Sequence, residues 1–181
     1  MTSTAAVPTT WTIDSAHSLV EFSVKHMMIT TVKGRFGALT GTLSLDPAGP
    51  AVEASIETAS VDTRQAQRDQ HLQSADFFDV ANHPAILFQS RRIEGQFARP
   101  GDAFRLIGDL TIKGVSREVV LDAVYEGQGK DPWGGSRVSF SATTRIDRHD
   151  FGLGWNQVLE AGGVLVGAEV KIALEVQATR Q

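Results

Sequence analysis

The stretch Ser18-Leu19-Val20-Glu21-Phe22-Ser23-Val24-Lys25-His26-Met27-Met28 alternates with a period of two. Ser18, Val20, Phe22, Val24, His26 and Met28 share one parity, while Glu21, Ser23 and Lys25 hold the other. Successive side chains of a strand point to opposite faces, so this run reads as a β-strand with one face turned to a core. The same rhythm returns at residues 40–45, where Gly41, Leu43 and Leu45 share a face, before Asp46-Pro47-Ala48-Gly49-Pro50 breaks it as a turn. Val52, Ala54, Ile56 and Thr58 then line up opposite Glu53, Ser55 and Glu57. Five further strand-like runs occupy 85–93, 103–113, 117–126, 137–146 and 164–178, separated by Gly-rich turns at Gly101-Asp102, Lys113-Gly114 and 127–135. About eight strands with short connections indicate an all-β fold, an up-and-down antiparallel barrel or a sandwich.

Residues 63–80 break the rhythm. They are rich in Gln, Arg, Asp and Ala, with no β-branched run, and their local preference is helical. Asp62 or Thr63 is the expected cap, and Asn82-His83-Pro84 the expected stop. Leu72, Ala75 and Phe78 fall at roughly helical spacing, so the segment is expected to lie over one mouth of the barrel.

With 181 residues, 41% hydrophobic and 21% charged, the chain suits one packed domain, taken here as 11–181 behind a flexible segment 1–10. Twenty-one acidic against 17 basic residues give a net charge of −4, and no Lys/Arg cluster suits a nucleic-acid backbone. The absence of cysteine excludes disulfides, thiolate metal sites and Cys nucleophiles. Residues 1–10 carry no Lys or Arg and no apolar core of a signal peptide, so a cytoplasmic location is expected. No apolar run approaches the roughly 18 residues of a membrane span.

An eight-stranded barrel either fills its interior with side chains or encloses one small ligand. Ser18, Gly41, Ala54, Thr58, Gly108 and Ala142, all small, share the inward parity and leave room for a cavity, although a filled barrel stays open at this point. Val20, Phe22, Val24, Phe88, Phe140 and Ile172 would form an apolar wall, and Trp155 would cover an opening. His26 continues the parity of Phe22 and Val24 and is placed to meet a ligand head group. No catalytic signature is present: G-x-S-x-G, the Walker loop, H-E-x-x-H and a strand-following G-x-G-x-x-G are all missing. The five histidines, His17, His26, His71, His83 and His149, show no metal-ligand spacing, and no catalytic residue, metal or cofactor is assigned. Arg64, Arg68, Asp69 and Lys113 read as solvated or paired charges.

An ordered series of short motifs adds a resemblance. It runs through Trp11-Thr-Ile-Asp14 with His17-Ser18, Phe22-Ser-Val-Lys-His26, Val32-Lys-Gly34-Arg-Phe36 and Val61-Asp-Thr63. It continues with Arg68-Asp69-Gln-His71-Leu72, Asp76-Phe77-Phe78-Asp79, His83-Pro84-Ala-Ile-Leu-Phe88 and Gly108-Asp-Leu-Thr-Ile-Lys-Gly-Val115. Arg148-His-Asp-Phe-Gly152, Leu165-Val-Gly167 and Val170-Lys-Ile172 complete it. In this series the chain resembles the YceI-like family of polyisoprenoid-binding proteins. The resemblance implies an extended, lipocalin-like, eight-stranded antiparallel β-barrel with an elongated central pocket. It implies a bacterial lipid-binding protein whose ligand is a long-chain polyisoprenoid or an isoprenoid quinone. Many members are exported to the periplasm.

The function expected from these readings is non-enzymatic binding, storage or transport of such a lipid. Val20, Phe22, Val24, Phe88, Phe140, Trp155 and Ile172 would contact the tail, and His26 the polar end. Transient membrane contact and a homodimer are compatible with it. The alternatives are an accessory protein or enzyme acting on a bound isoprenoid quinone, with His26 or His149 as acid–base groups, and a stress-linked interaction scaffold.

Overall fold

The computed structural model describes residues 9–46 and 49–181. Of the expected flexible segment 1–10, residues 1–8 lie outside the described residues, and Thr10 already belongs to the first strand. The strands are β1 (Thr10–Ile13), β2 (Leu19–His26), β3 (Thr30–Phe36), β4 (Leu39–Ser44), β5 (Ala51–Glu57), β6 (Val61–Asp62), β7 (Ala85–Gly95), β8 (Ala103–Ile112), β9 (Val115–Lys130), β10 (Ser136–Asp147) and β11 (Val166–Arg180). One helix, α1 (Ala66–Gln73), lies between β6 and β7 and is not long or apolar enough to cross a membrane.

Three pairs of segments act as single bent strands. β1 and β2 are interrupted by a 3-10 turn at Ser15–His17, β3 and β4 by Gly37 and Ala38, and β5 and β6 by a 3-10 turn at Thr58–Ser60. Counted this way the sheet has eight strands, each antiparallel to its sequence neighbour. β11 closes it, pairing along one edge with β10 and along the other with β2 and then β1. The result is a closed up-and-down barrel, which removes the unpaired edge that a lone sheet would expose.

Several connections follow from local chemistry. The β8–β9 hairpin turns on two residues, Lys113 (φ 50°) and Gly114 (φ 76°), the left-handed pair that matches strand twist. Where β1 and β2 break, Ser18 repairs the ladder: its hydroxyl donates to Gln177 O at 3.2 Å and accepts from Gln177 N at 3.1 Å. The helix is shorter than the expected 63–80. It begins at Ala66 because the Gln65 side chain, rather than Asp62 or Thr63, accepts from Arg68 N. Asp62 instead receives Arg64 N at 2.8 Å, and the Ser74 hydroxyl bonds His71 O to end the helix. The chain then turns repeatedly, which drives Phe77 and Phe78 inward.

The two ends of the barrel differ. At the end holding the β1 and β11 termini, Ile13, Ala178 and Val138 stand in register across three strands, and Trp11 packs beside them, all buried. Phe97, Phe104, Phe140 and Tyr125 add an aromatic layer with centroid separations of 5.1 to 6.1 Å. The opposite end is spanned by α1, the turns after it and the 148–165 connection.

The closed end is also fastened by charge. Arg137 on β10 donates to Asp14 at 2.7 Å, to Gln177 Oε1 at 2.9 Å and to Asp131 at 3.0 Å. The hydrogen bond from Arg137, followed by that from His17, holds the Asp14 carboxyl below its ordinary value of 3.8, against the effect of burial. Asp131 is likewise lowered, first by the Gly135 N–H and then by Arg137. Because folding lowers these pKa values, their stabilisation is present above about pH 4 and fades as pH falls through the folded values. An Arg137→Met variant is therefore expected to melt at a lower temperature than the parent at pH 7. The gap should narrow on acidification to pH 3, as followed by circular dichroism melts; a gap independent of pH would contradict the assignment.

Candidate functional site: an apolar cavity with a basic mouth

Inward parity along each strand brings Val20, Phe22 and Val24 of β2 opposite Leu174, Ile172 and Val170 of β11. Phe88 of β7 lies between Ala54 and Leu110, and Phe140 of β10 between Tyr125 and Val176. In a filled barrel such residues would be fully covered. Here Phe22, Val24, Phe88, Phe140 and Ile172 are only half-buried, because they face an interior cavity of about 400 Å³. That volume lies in the range of ligand pockets, about 300–1,000 Å³. The stretch of β11 from Val166 to Val176, at about 3.3 Å per residue and tilted about 40° to the axis, gives it a depth of roughly 25 Å.

All eight residues singled out from the sequence, Val20, Phe22, Val24, His26, Phe88, Phe140, Trp155 and Ile172, border this one cavity. The reading of the small inward residues needs correction. Ala54 and Ala142 do border the cavity. Gly108, however, makes room for a ring: a β-carbon there would sit 2.6 Å from Phe88 Cζ. Gly34 does the same for Phe22, at 2.3 Å. A β-carbon on Gly41 would strike Glu53 O, Thr58 is buried and donates to His83 O at 3.1 Å, and Ser18 serves the ladder break. The void thus comes from how the aromatic rings lie, flat over glycines, as much as from small side chains.

Polar groups concentrate at the open end. Lys25, His26, Arg68, His71 and Arg148 all border the cavity, and no Asp or Glu does so among the described residues. Arg68, expected to be a solvated or paired charge, is exposed and also holds the turn before α1, donating through Nε to Thr63 Oγ1 at 2.7 Å and through Nη2 to Thr63 O at 2.8 Å. Asp69 secures the same residue, accepting from Thr63 N at 2.9 Å. The His71 ring meets Trp155 edge-on at 4.6 Å and Phe77 at 5.1 Å, so α1 and the 148–165 connection close on each other through aromatic contact. His71 Nε2 bonds Asp76 at 2.8 Å, and Asp76 itself does not border the cavity.

Arg148 is the functional-end residue that motif reading left unexplained. Its side chain is 4% exposed and forms no ion pair among the described residues; its guanidinium donates to the carbonyls of Gly167, Leu153, Trp155 and Val166. Burial pushes its pKa down, with the nearby charge of Asp147 opposing. The signal was present in the sequence, since Phe140, Ala142, Thr144, Ile146 and Arg148 continue one inward parity. His149, by contrast, points away. Its Nδ1 bonds Asp147 at 2.8 Å on the exposed side, and it does not border the cavity. His26 does, and its imidazole makes no hydrogen bond among the described residues.

Comparison with known proteins follows the geometry. The family model of the YceI-like domain matches residues 11–178. The chain belongs to the YceI-like family. A UPF0312 protein of Pseudomonas aeruginosa is 34% identical over 171 residues, covering 93% of this chain and 84% of that one. The crystal structure of BcnA from Burkholderia cenocepacia superposes with a TM-score of 0.76 at 24% identity, over 91% of this chain and 98% of that one. A domain from Saccharophagus degradans, described as polyisoprenoid-binding and implicated in plant cell wall breakdown, superposes with a TM-score of 0.72 at 14% identity, over 94% and 98%. At these identities both structures establish the YceI-like barrel fold of this chain.

The four carbonyls held by Arg148 make it the clamp of the open end. Arg148→Met keeps the aliphatic stem and leaves those acceptors without their donor. Unfolding free energy is expected to fall by about 3 kcal/mol or more, with amide exchange accelerated first in 153–167. A loss under about 1 kcal/mol in a denaturant titration would contradict this role.

Proposed function

We propose that this protein binds one long-chain isoprenoid lipid, a polyprenol or an isoprenoid quinone, inside the barrel and carries it unchanged. The observation that carries this reading is the cavity itself: deep, plugged at one end by the buried Trp11, Ile13, Val138 and Ala178, walled by aliphatic and aromatic side chains, and bordered toward the other end by polar groups. A chain buried there gains roughly 0.8 kcal/mol per CH₂ relative to water, so a few isoprene units suffice for micromolar binding. When the lipid leaves a bilayer that gain nearly cancels, and shape and head-group contacts decide the exchange. Membership in the YceI-like family and the fold shared with a polyisoprenoid-binding domain support the same reading.

The two histidines read from the sequence as acid–base groups do not fit an enzyme acting on a bound quinone: His149, which bonds Asp147, is outside the cavity, and His26, which borders it, bonds no carboxylate among the described residues, whereas His71 borders it and bonds Asp76. The empty interior speaks against a barrel serving only as a scaffold. Met27, Met28 and Ile29 stand exposed at the β2–β3 tip beside the opening, which suits a transient contact with the membrane that supplies the lipid.

Ala142→Phe tests the cavity directly, since it adds a ring to the wall without touching the outer surface. Geranylgeraniol, titrated against the intrinsic tryptophan fluorescence, to which Trp155 at the cavity contributes, should bind the parent and bind Ala142→Phe about tenfold more weakly or worse, with the melting temperature unchanged or raised. Equal affinity for both proteins would place the ligand elsewhere and overturn the reading.

A further inference from the structure

Large apolar side chains are unevenly placed on the outside of this barrel. Six stand exposed among the described residues, and four of them, Met27, Met28, Ile29 and Val158, gather at one end. Lone exposed apolar residues are ordinary, whereas a contiguous group marks a surface that meets something. This group is contiguous. Met27 N donates to Leu165 O at 2.8 Å, and Met28 Sδ stands 2.7 Å from the position of a β-carbon on Gly163. Val158 bridges Val164 in the same 157–165 loop, so that loop and the β2–β3 tip present one apolar knob.

The backbone holds these side chains outward at a cost. Met27 and Met28 both adopt left-handed conformations, φ 52° and 62°, which Gly or Asn would take up more readily. The core gains little from them: Met28 is 64% exposed, Ile29 74% and Val158 79%. Strain kept for outward-facing side chains points to a task outside the fold.

Below the knob the outer face is basic. Lys33, Ser23 and Lys171 form one row across β3, β2 and β11, and Lys25 stands one step nearer the tip, opposite Thr31. All three lysines are exposed, and none makes an ion pair among the described residues. The acidic groups around them are few. Glu21, the next outward residue down β2, faces Arg35; Glu169 is paired with Arg145 at 3.2 Å; Glu160 lies in the 157–165 loop. In a chain with 21 acidic and 17 basic residues, three unpaired lysines under an apolar tip run against the overall charge.

An apolar tip above a basic collar matches the layering of a bilayer surface, with acyl chains below anionic head groups. A second copy docked by the same face would instead bring the lysines against their own counterparts. Resting on the carrier reading above, we infer that the β2–β3 tip and the 157–165 loop dock the protein on an anionic membrane. Met28, Ile29 and Val158 enter the head-group boundary, and Lys25, Lys33 and Lys171 meet the negative surface. Docked this way, the open end of the barrel faces the bilayer, and a lipid passes between them without crossing water.

Flotation with large unilamellar vesicles tests the docking. The parent is expected to bind vesicles of phosphatidylcholine with about one-third phosphatidylglycerol at least tenfold more tightly than phosphatidylcholine alone, and less tightly as salt is raised. Met28→Asn with Ile29→Ser, in which Asn accepts the left-handed backbone, should weaken that binding by about tenfold. Lys33→Gln with Lys171→Gln should cut the preference for the anionic vesicles by about threefold or more. Trp133→Ser, which removes an exposed ring at the opposite end, should change neither. All three variants should keep the parent's affinity for geranylgeraniol. Absence of vesicle binding, or equal binding by the parent and the Met28/Ile29 variant, overturns the docking surface and leaves the carrier reading standing. Equal binding of the parent to both vesicles overturns the anionic assignment. A parent dimer that the Met28/Ile29 variant splits, with no vesicle binding, gives the face to a second copy and overturns the proposal. Failure of the parent to bind geranylgeraniol overturns the carrier reading itself.

Discussion

Because β11 pairs with β10 along one edge and with β2 and then β1 along the other, the sheet has no free edge, and every inward side chain faces the others across a common interior. Closure at eight strands fixes the width of that interior near the limit that side chains can fill. What happens inside then depends on which residues hold the inward parity. Ile13, Val138 and Ala178 meet in register and plug one end, while farther up the barrel Phe22 and Phe88 lie over Gly34 and Gly108 and stop short of the centre. An apolar void survives because the closed hydrogen-bond ladder, together with the Arg137 cluster at the plugged end, prevents the walls from collapsing onto it. The stability that a packed core would supply is partly forgone, as binding sites commonly require.

The open end is built by different physics. Aromatic contact between His71, Phe77 and Trp155 joins α1 to the 148–165 connection, and Arg148 ties that connection to the start of β11 through four carbonyls. This covering rests on a few side chains rather than on a ladder, so it is the part of the molecule able to open without unfolding the barrel.

Much of this was legible in the chain. Period-two alternation in β2, β5, β8 and β10 gives the strand count and the inward parity, and that parity alone brings Val20, Phe22, Val24, His26, Phe88, Phe140 and Ile172 to one cavity. β3 escaped because its inward residues are Val32, Gly34 and Phe36, and the glycine erases the alternation that the aromatic ring of Phe22 restores in space. β1 escaped because four residues are too few to show a period. The length of α1 depended on a Gln65 side-chain cap and a Ser74 back-bond, contacts that composition does not reveal. Arg148 sat on the inward parity of β10, but a charged residue at a strand end reads as solvated until the loop that buries it is in place. The outward direction of His149 likewise depends on the turn at 148–151 and on Asp147.

The central claim is that the void is kept for one isoprenoid chain. Native mass spectrometry of the protein purified from its host of origin, followed by organic extraction and identification of any released lipid, tests this most directly. One isoprenoid per chain, displaced in Ala142→Phe, is the expected result. A folded protein that leaves its own host without lipid and refuses added polyprenols, quinones and their acidic counterparts would contradict it.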